Sequence, residues 1–284
     1  MANPSSGSAT SIMQANGTAS SGTAAYDSTY SGPALADAVI LAGGDGTPVD
    51  AASPVKGLVP VLGRPMVEWV VDALRAAGTV RRIVVVLPTD QGLNGLADKV
   101  DAIVVSDGRF IDNALAGFSA LNGDLHAVWA TGDIPAITPS AIDEIVVRTI
   151  DAGADFSYPL ISEASMTEHF PGSVRTYFKI AAGTYTGGNV VVTPPTMDTQ
   201  ALSSIFQQFF DARKSPVKTL KIVGAGFAAK LALGKLDTAD IERKLSGLFG
   251  APCAAIYDPH PSVGADVDKP IDRVVVEQVL RQRG

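Results

Sequence analysis

Between Asp37 and Gly153 short apolar runs alternate with amphipathic ones, and this alternation excludes most folds. The runs DAVILA, RRIVVVLP, DAIVVSD and HAVWATGDIP have the length and content of buried strands. Between and after them, RPMVEWVVDALRAAG, FIDNALAGFSALNG and TPSAIDEIVVRTIDAG place apolar residues at helical spacing. Each helix carries its own punctuation. Pro65 stands near the start of the first and Gly78 after its end, and Gly123 stops the second. Thr138 is the expected N-cap of the third, followed by Pro139, with Asp143 and Glu144 suited to its positive end. Strands that are apolar throughout are covered on both faces. The pattern predicts an α/β fold of three layers, a mainly parallel sheet with helices on either side.

The second half follows another pattern. VRTYFKIAAGTYTGGNVVVTPP predicts two antiparallel strands around a turn at Gly183. TQALSSIFQQFFDARK reads as a helix, and Val223 to Leu248 as further helix broken near Gly234. CAAIYD and GADVD read as strands, and KPIDRVVVEQVLRQRG as a closing helix. Residues 1–34 are rich in Ser, Gly, Ala and Thr, lack Lys and Arg, and are expected to form a disordered tail. Residues 35–284 are expected to form a single domain with an antiparallel and helical elaboration in its second half.

Of the 284 residues, 46% are hydrophobic, enough for a sizeable core. The formal charge of -7 argues against nucleic acid or an anionic membrane as a partner, while leaving room for a small anion held by local cations. No apolar run has the length of a membrane span, and the N-terminus lacks the features of a signal peptide. One cysteine, Cys253, permits neither an intrachain disulfide nor a cysteine-rich zinc site, and a cytosolic protein is expected. The three histidines, His126, His169 and His260, have no metal-ligand spacing and are read as structural.

The stretch AVILAGGDGTPVDAASPVKGLVPVLGRPM ends a strand in glycines and places one cation, Lys56, about ten residues on. A P-loop needs Gly-Lys-Ser/Thr after its last glycine, but Thr47 and Pro48 follow Gly46. A dinucleotide fingerprint needs a third glycine where Val49 stands. The remaining reading keeps Gly43, Gly44 and Gly46 as a backbone cradle for a triphosphate and Lys56 as a point charge on its phosphates.

The motif Leu41-Ala42-Gly43-Gly44-x-Gly46-Thr47, with Pro54-x-Lys56 beyond it, resembles the nucleotidyltransferases of the MobA-like and sugar-nucleotide pyrophosphorylase superfamily. The resemblance runs from residue 37 to about residue 280 and implies a Rossmann-like sheet and transfer of a nucleotide from an NTP. A triphosphate calls for a divalent cation, commonly Mg²⁺ on one or two carboxylates. Asp133, after the HAVWA strand, resembles the family's Gly-Asp-x-Pro metal motif, and GADVDKPIDRV resembles its closing Asp-x-Asp-x-Pro motif. On a strand Asp266 and Asp268 would share a face; one would reach the metal, Asp266 being slightly preferred, and the other would cap the last helix. SDGRFIDNALAGFSAL lies where relatives read base and ribose, which implicates Gly108, Asp112 and Asn113. TYTGGNVVV resembles the strand beside the acceptor pocket, with Gly187 and Gly188 allowing close approach and Asn189 bonding an acceptor oxygen.

The activity so implied is Mg²⁺-dependent transfer of an NMP to a phosphorylated small molecule, with release of pyrophosphate. Catalysis would fall to Lys56 and Asp133. The donor base, the acceptor and the oligomeric state are left open. One departure stands out: Pro48 occupies the place where many relatives carry a triphosphate-binding arginine. Lys179, Lys218, Lys221 and Lys230 are the candidates to replace it. Two alternatives remain, a nucleotide-binding regulatory protein of the same fold and a dinucleotide-dependent oxidoreductase, the latter disfavoured by Val49.

Overall fold

Residues 30–89, 95–121, 123–195, 203 and 222–283 are described in a computed structural model. Apart from Ser203, the helix expected over TQALSSIFQQFFDARK lies outside these residues, as do Lys218 and Lys221. None of the described helices is long and apolar enough to cross a membrane.

The strands of the first half form as the apolar runs indicated. They are β1 (Ala36–Leu41), β4 (Val80–Leu87), β5 (Ala102–Val105) and β6 (His126–Thr131), with the short antiparallel pair β2 (Pro60–Val61) and β3 (Arg64–Pro65) between the first two in the chain. With β10 (Val190–Thr193), β1, β4, β5 and β6 make a five-stranded sheet in the order β10-β6-β1-β4-β5, parallel except for β10. Strand alternation sorts its two faces. Ala38, Ile40, Val85 and Val128 pack against helices α1 (Met66–Ala76) and α3 (Pro139–Asp151). Val39, Val86 and Trp129 pack against α2 (Phe110–Leu121).

Thr138 caps α3, its hydroxyl accepting from the Ala141 amide at 3.2 Å. Asp143 and Glu144 differ from expectation. They lie beyond the first turn and are buried, where a carboxylate needs several donors to replace water. Asp143 accepts from the amides of Tyr30, Gly78 and Thr79 and from the Thr79 hydroxyl. Glu144 binds Arg148 and the His260 amide.

A second, four-stranded sheet forms the elaboration, in the order β11-β7-β9-β8. Its members are β7 (Phe156–Ser162), β8 (Phe178–Ile180), β9 (Gly183–Gly187) and β11 (Cys253–Tyr257). The hairpin around Gly183 is present, but TYTGGNVVV is not one strand. It leaves the second sheet after Gly187 and enters the first at Val190. At the crossing, the Asn189 amide donates to Val263 and the Asn189 carbonyl accepts from Thr131. Helix α4 (Glu163–His169) follows β7, and helices α5 (Ala225–Ala232) and α6 (Thr238–Phe249) flank this sheet, with Phe227, Leu231 and Leu245 on its core.

The closing helix, α7 (Pro270–Arg283), ties both halves together. Its Val275 and Val276 share a cluster with Val49 from the glycine loop, Val59 and Val61 beyond Lys56, and Ala265 and Val267. GADVD is not a strand: a 3-10 turn over Pro261–Gly264 gives way to irregular backbone, pinned by the Val267 amide donating to Asp133 carbonyl oxygen at 2.9 Å.

Candidate active site

The parallel sheet fixes where its carboxyl ends lie, and β1 and β6 are neighbours there. Gly132 follows β6, and a Cβ on it would fall 2.6 Å from that of Ala42. Gly57 meets Ala42 from the other side, where a Cβ would lie 2.6 Å from its carbonyl oxygen. Both contacts are closer than a side chain tolerates, so these two glycines let the Lys56 turn and the Asp133 turn close on Ala42.

The glycine loop opens with Gly44 at φ +93°. Its amides are not equally available. Gly46 donates to Pro54 at 3.2 Å, and Thr47 donates to the Asp45 carboxylate at 2.9 Å. The amides of Gly43, Gly44 and Asp45 have no partner among the described residues.

Lys56 donates its backbone amide to the Gly44 carbonyl at 3.0 Å, but its side chain turns away from the loop. Its ammonium bridges Asp133 and Asp268. Oxygens of Asp133, Asp266 and Asp268 all lie within 4.8 Å of one another. Burial disfavours the Lys56 charge, but Asp133 and Asp268 outweigh it and hold the ammonium well above its usual pKa. Burial also opposes ionisation of Asp268; its bond to Lys56 outweighs this and keeps it below the carboxylate range. Asp266 goes the other way, pushed up to about 6 by burial and by Asp133 and Asp268, against the pull of Arg175.

Asn189 reaches this cluster, its side-chain amide donating to Asp266 Oδ1 at 3.2 Å. The space left by Gly187 and Gly188 is taken by the protein itself, by the Tyr158 ring and by Pro159. Asn113 lies beside the glycine loop. Its Oδ1 accepts from the Ser106 hydroxyl at 2.6 Å, and its amide nitrogen lies about 4.0 Å from where a Gly43 side chain would begin. Asp112 is exposed and pairs with Arg109 at 2.9 Å, outside the cluster. Gly108 abuts Asp112 and Asn113 at the start of α2.

Two residues of the site lie outside the expected set, one without a mark in the sequence and one with a capping signal. The guanidinium of Arg175, only 6% exposed, donates to both the side chain and the backbone carbonyl of Asp266. Its Nε has no partner among the described residues. Among the lysines offered in place of the missing arginine, Lys230 is engaged with Asp240 and Lys179 lies beside Gly234. Arg175 is the second cation here, and a lone Arg in a loop carries no periodic signal. Asp272 is the other residue. Asp268 does not cap α7; the buried Asp272 carboxylate reaches back to the amides of Asp268 and Lys269, and also to Val174 beside Arg175. An acid three residues after a helix start is a capping signal, and DKPID carried it.

Residues 38–209 match the MobA-like NTP transferase domain. The chain is 37% identical over 125 residues to the bifunctional protein GlmU of Rhodospirillum rubrum, covering 40% of this chain and 26% of that one. It is 34% identical over 120 residues to 2-C-methyl-D-erythritol 4-phosphate cytidylyltransferase of Nocardia farcinica, covering 41% and 51%. The chain thus spans about a quarter to a half of the length of these curated relatives. A hypothetical transferase structure from Thermus thermophilus superposes with a TM-score of 0.72 at 31% identity, covering 84% of this chain and 99% of that one.

Proposed function

The chain belongs to the MobA-like NTP transferase family, and from that premise and its carboxylate cluster we propose that it moves an NMP from an NTP to a phosphorylated small molecule, releasing pyrophosphate. The observation that carries this reading is the convergence of Lys56, Asp133, Asp266 and Asp268 from three distant stretches of chain. The cluster suits a hard divalent cation. Its donors are all carboxylate oxygens, the type magnesium takes, and it already draws in an ammonium as counter-charge.

A magnesium ion held by Asp133, Asp266 and Asp268 would neutralise charge on the α-phosphate as it is attacked. The chain's own residues do the rest by position and charge. The open amides of Gly43, Gly44 and Asp45 receive phosphate oxygens. Lys56, on a flexible stem whose Cβ lies 3.8 Å from where a Gly44 side chain would begin, swings from the carboxylates to the triphosphate. Arg175 and Asn189 keep Asp266 oriented. An ionised phosphate acceptor attacks without a general base.

One observation favours a second reading, a nucleotide-binding regulatory protein. The Gly46 and Thr47 amides are already engaged, and Pro48 adds no charge. Pyrophosphate release separates the two. With Mg²⁺, the four NTPs and a panel of phosphomonoesters, one combination should release pyrophosphate in step with acceptor consumption. NTP binding with no release across the panel would support the regulatory role.

A further inference from the structure

An apolar cavity of about 180 Å³ adjoins the carboxylates on the α2 face of the five-stranded sheet. Phe110, Ile111 and Leu115 of α2 line one wall, and Leu41, Trp129 and Val191 of the sheet line the other. Thr131 and Asn189 line it as well, and both also bond the cluster, through Asp133 and Asp266. The cavity is therefore continuous with the reaction site.

Its side-chain donors are largely engaged. The Trp129 indole N–H donates to the Thr193 hydroxyl at 2.8 Å, the Thr131 hydroxyl donates to Asp133 at 2.5 Å, and the Asn189 amide donates to Asp266. A sugar or polyol would bring a hydroxyl on nearly every carbon into this space. Each one left unpaired loses its water partners without replacement, which weakens binding. A nucleobase, with its polar edge, meets the same objection. An apolar ring does not, and a dry cavity of roughly 150 Å³ lined by Leu, Ile and Phe is large enough to take up benzene. Phe110, 45% exposed at the cavity, gains cover from such a ligand.

We propose that the acceptor is a phosphomonoester with an apolar, ring-sized body. The body sits between α2 and the sheet, and the phosphate passes Asn189 and Thr131 to reach the carboxylates. This rests on the transfer reading above. An acceptor phosphate oxygen forms the new bond to the α-phosphorus, and the bond from that phosphorus to the bridging oxygen breaks. Pyrophosphate leaves with the electron pair.

The chain has two tryptophans, so a Trp69→Phe variant leaves Trp129 as the reporter inside the cavity. Phenyl phosphate, glucose 1-phosphate and inorganic phosphate are titrated against its fluorescence. Phenyl phosphate should change the Trp129 signal and bind at least about tenfold more tightly than the other two. Leu115→Glu, which sets a charge in the wall, should abolish that advantage. Leu115→Phe, which fills the space without a charge and adds no second tryptophan, should do the same, so the test survives if the first variant fails to fold. Stabilisation by Mg²⁺ and NTP serves as the folding control for both. Equal binding of glucose 1-phosphate or of inorganic phosphate, or unchanged phenyl phosphate binding in both Leu115 variants, overturns the proposal. The two readings fail separately. Pyrophosphate release with glucose 1-phosphate but not with phenyl phosphate rejects only the apolar acceptor, and no release with any NTP and any acceptor rejects the transfer reading.

Discussion

Two cations divide the three clustered carboxylates between them, and they hold them differently. Lys56 is a point charge on a flexible stem, shared between Asp133 and the 55%-exposed Asp268. Arg175 is a rigid fork, 6% exposed, fixed to the side chain and backbone of Asp266. A lysine in that setting exchanges partners as ligands arrive. An arginine so buried leaves an uncompensated charge behind if it moves. One side of the site is built to change and the other to keep its shape.

The largest effect should come from breaking the fixed side. Arg175→Met leaves Asp266 buried beside two other acids, and losing one partner of a buried pair costs about 3–5 kcal/mol. Urea denaturation of the metal-free protein checks this, and a variant as stable as the parent would mean that Arg175 does not hold Asp266. Breaking the mobile side should act on turnover instead. Lys56→Ala should lower kcat by about 10²–10³-fold, as loss of a transition-state donor does, with a smaller loss of NTP affinity. If it weakens NTP binding and leaves kcat untouched, Lys56 serves the ground state alone.

The turn that delivers the acids gives a pH test. His260 caps it, Nδ1 accepting from the Ser262 amide, with Arg283 and the His169 ring nearby and Glu144 on its backbone. Burial, with Arg283 and His169, lowers its pKa to about 4 from 6.5. A histidine kept neutral by folding contributes stability above pH 6.5 that is lost as pH falls towards 4, on the order of 3 kcal/mol for such a shift. His260→Asn keeps an acceptor for Ser262 and should flatten the fall in stability between pH 7 and pH 4.5. An unchanged slope would place the acid sensitivity elsewhere. Asn189→Ala should have the smallest effect, about 0.5–1.5 kcal/mol for one neutral hydrogen bond, read as a several-fold rise in acceptor KM with NTP KM fixed. A rise in NTP KM instead would undo the division between donor and acceptor sides.

The same contrast governs what the sequence made legible. The Lys56 side is local: strand, glycines and Lys56 lie in one stretch, so they can be matched to a family motif as a piece. The parallel sheet was legible for the same reason, since β1, β4 and β6 each contain a local apolar run, AVIL, IVVVL and AVWA. The fixed side is assembled over long range. Arg175 meets Asp266 across 91 positions, and no periodicity announces such a pair. TYTGGNVVV read as one strand because its alternation continues through the point where the chain changes sheets at Gly188 and Asn189. GADVD read as a strand because its alternation is real, but the Val267 bond to Asp133, together with burial beneath α7, fixes the backbone instead. Asp143 and Glu144 looked like dipole partners because helix position was visible and their distant amide donors were not.

The central claim is that the three carboxylates and Lys56 form a metal-dependent site for a nucleoside triphosphate. Thermal unfolding with each of the four NTPs, with and without Mg²⁺, tests it most directly when run on the parent and on Asp133→Asn together. At 100 times its Kd a ligand adds about 2.7 kcal/mol, which for a domain of this size raises Tm by roughly 5–10 °C. The account expects that rise with at least one NTP, only when Mg²⁺ is present, and not in folded Asp133→Asn. A rise of equal size without Mg²⁺ or in the variant, or no rise with any NTP, would contradict it.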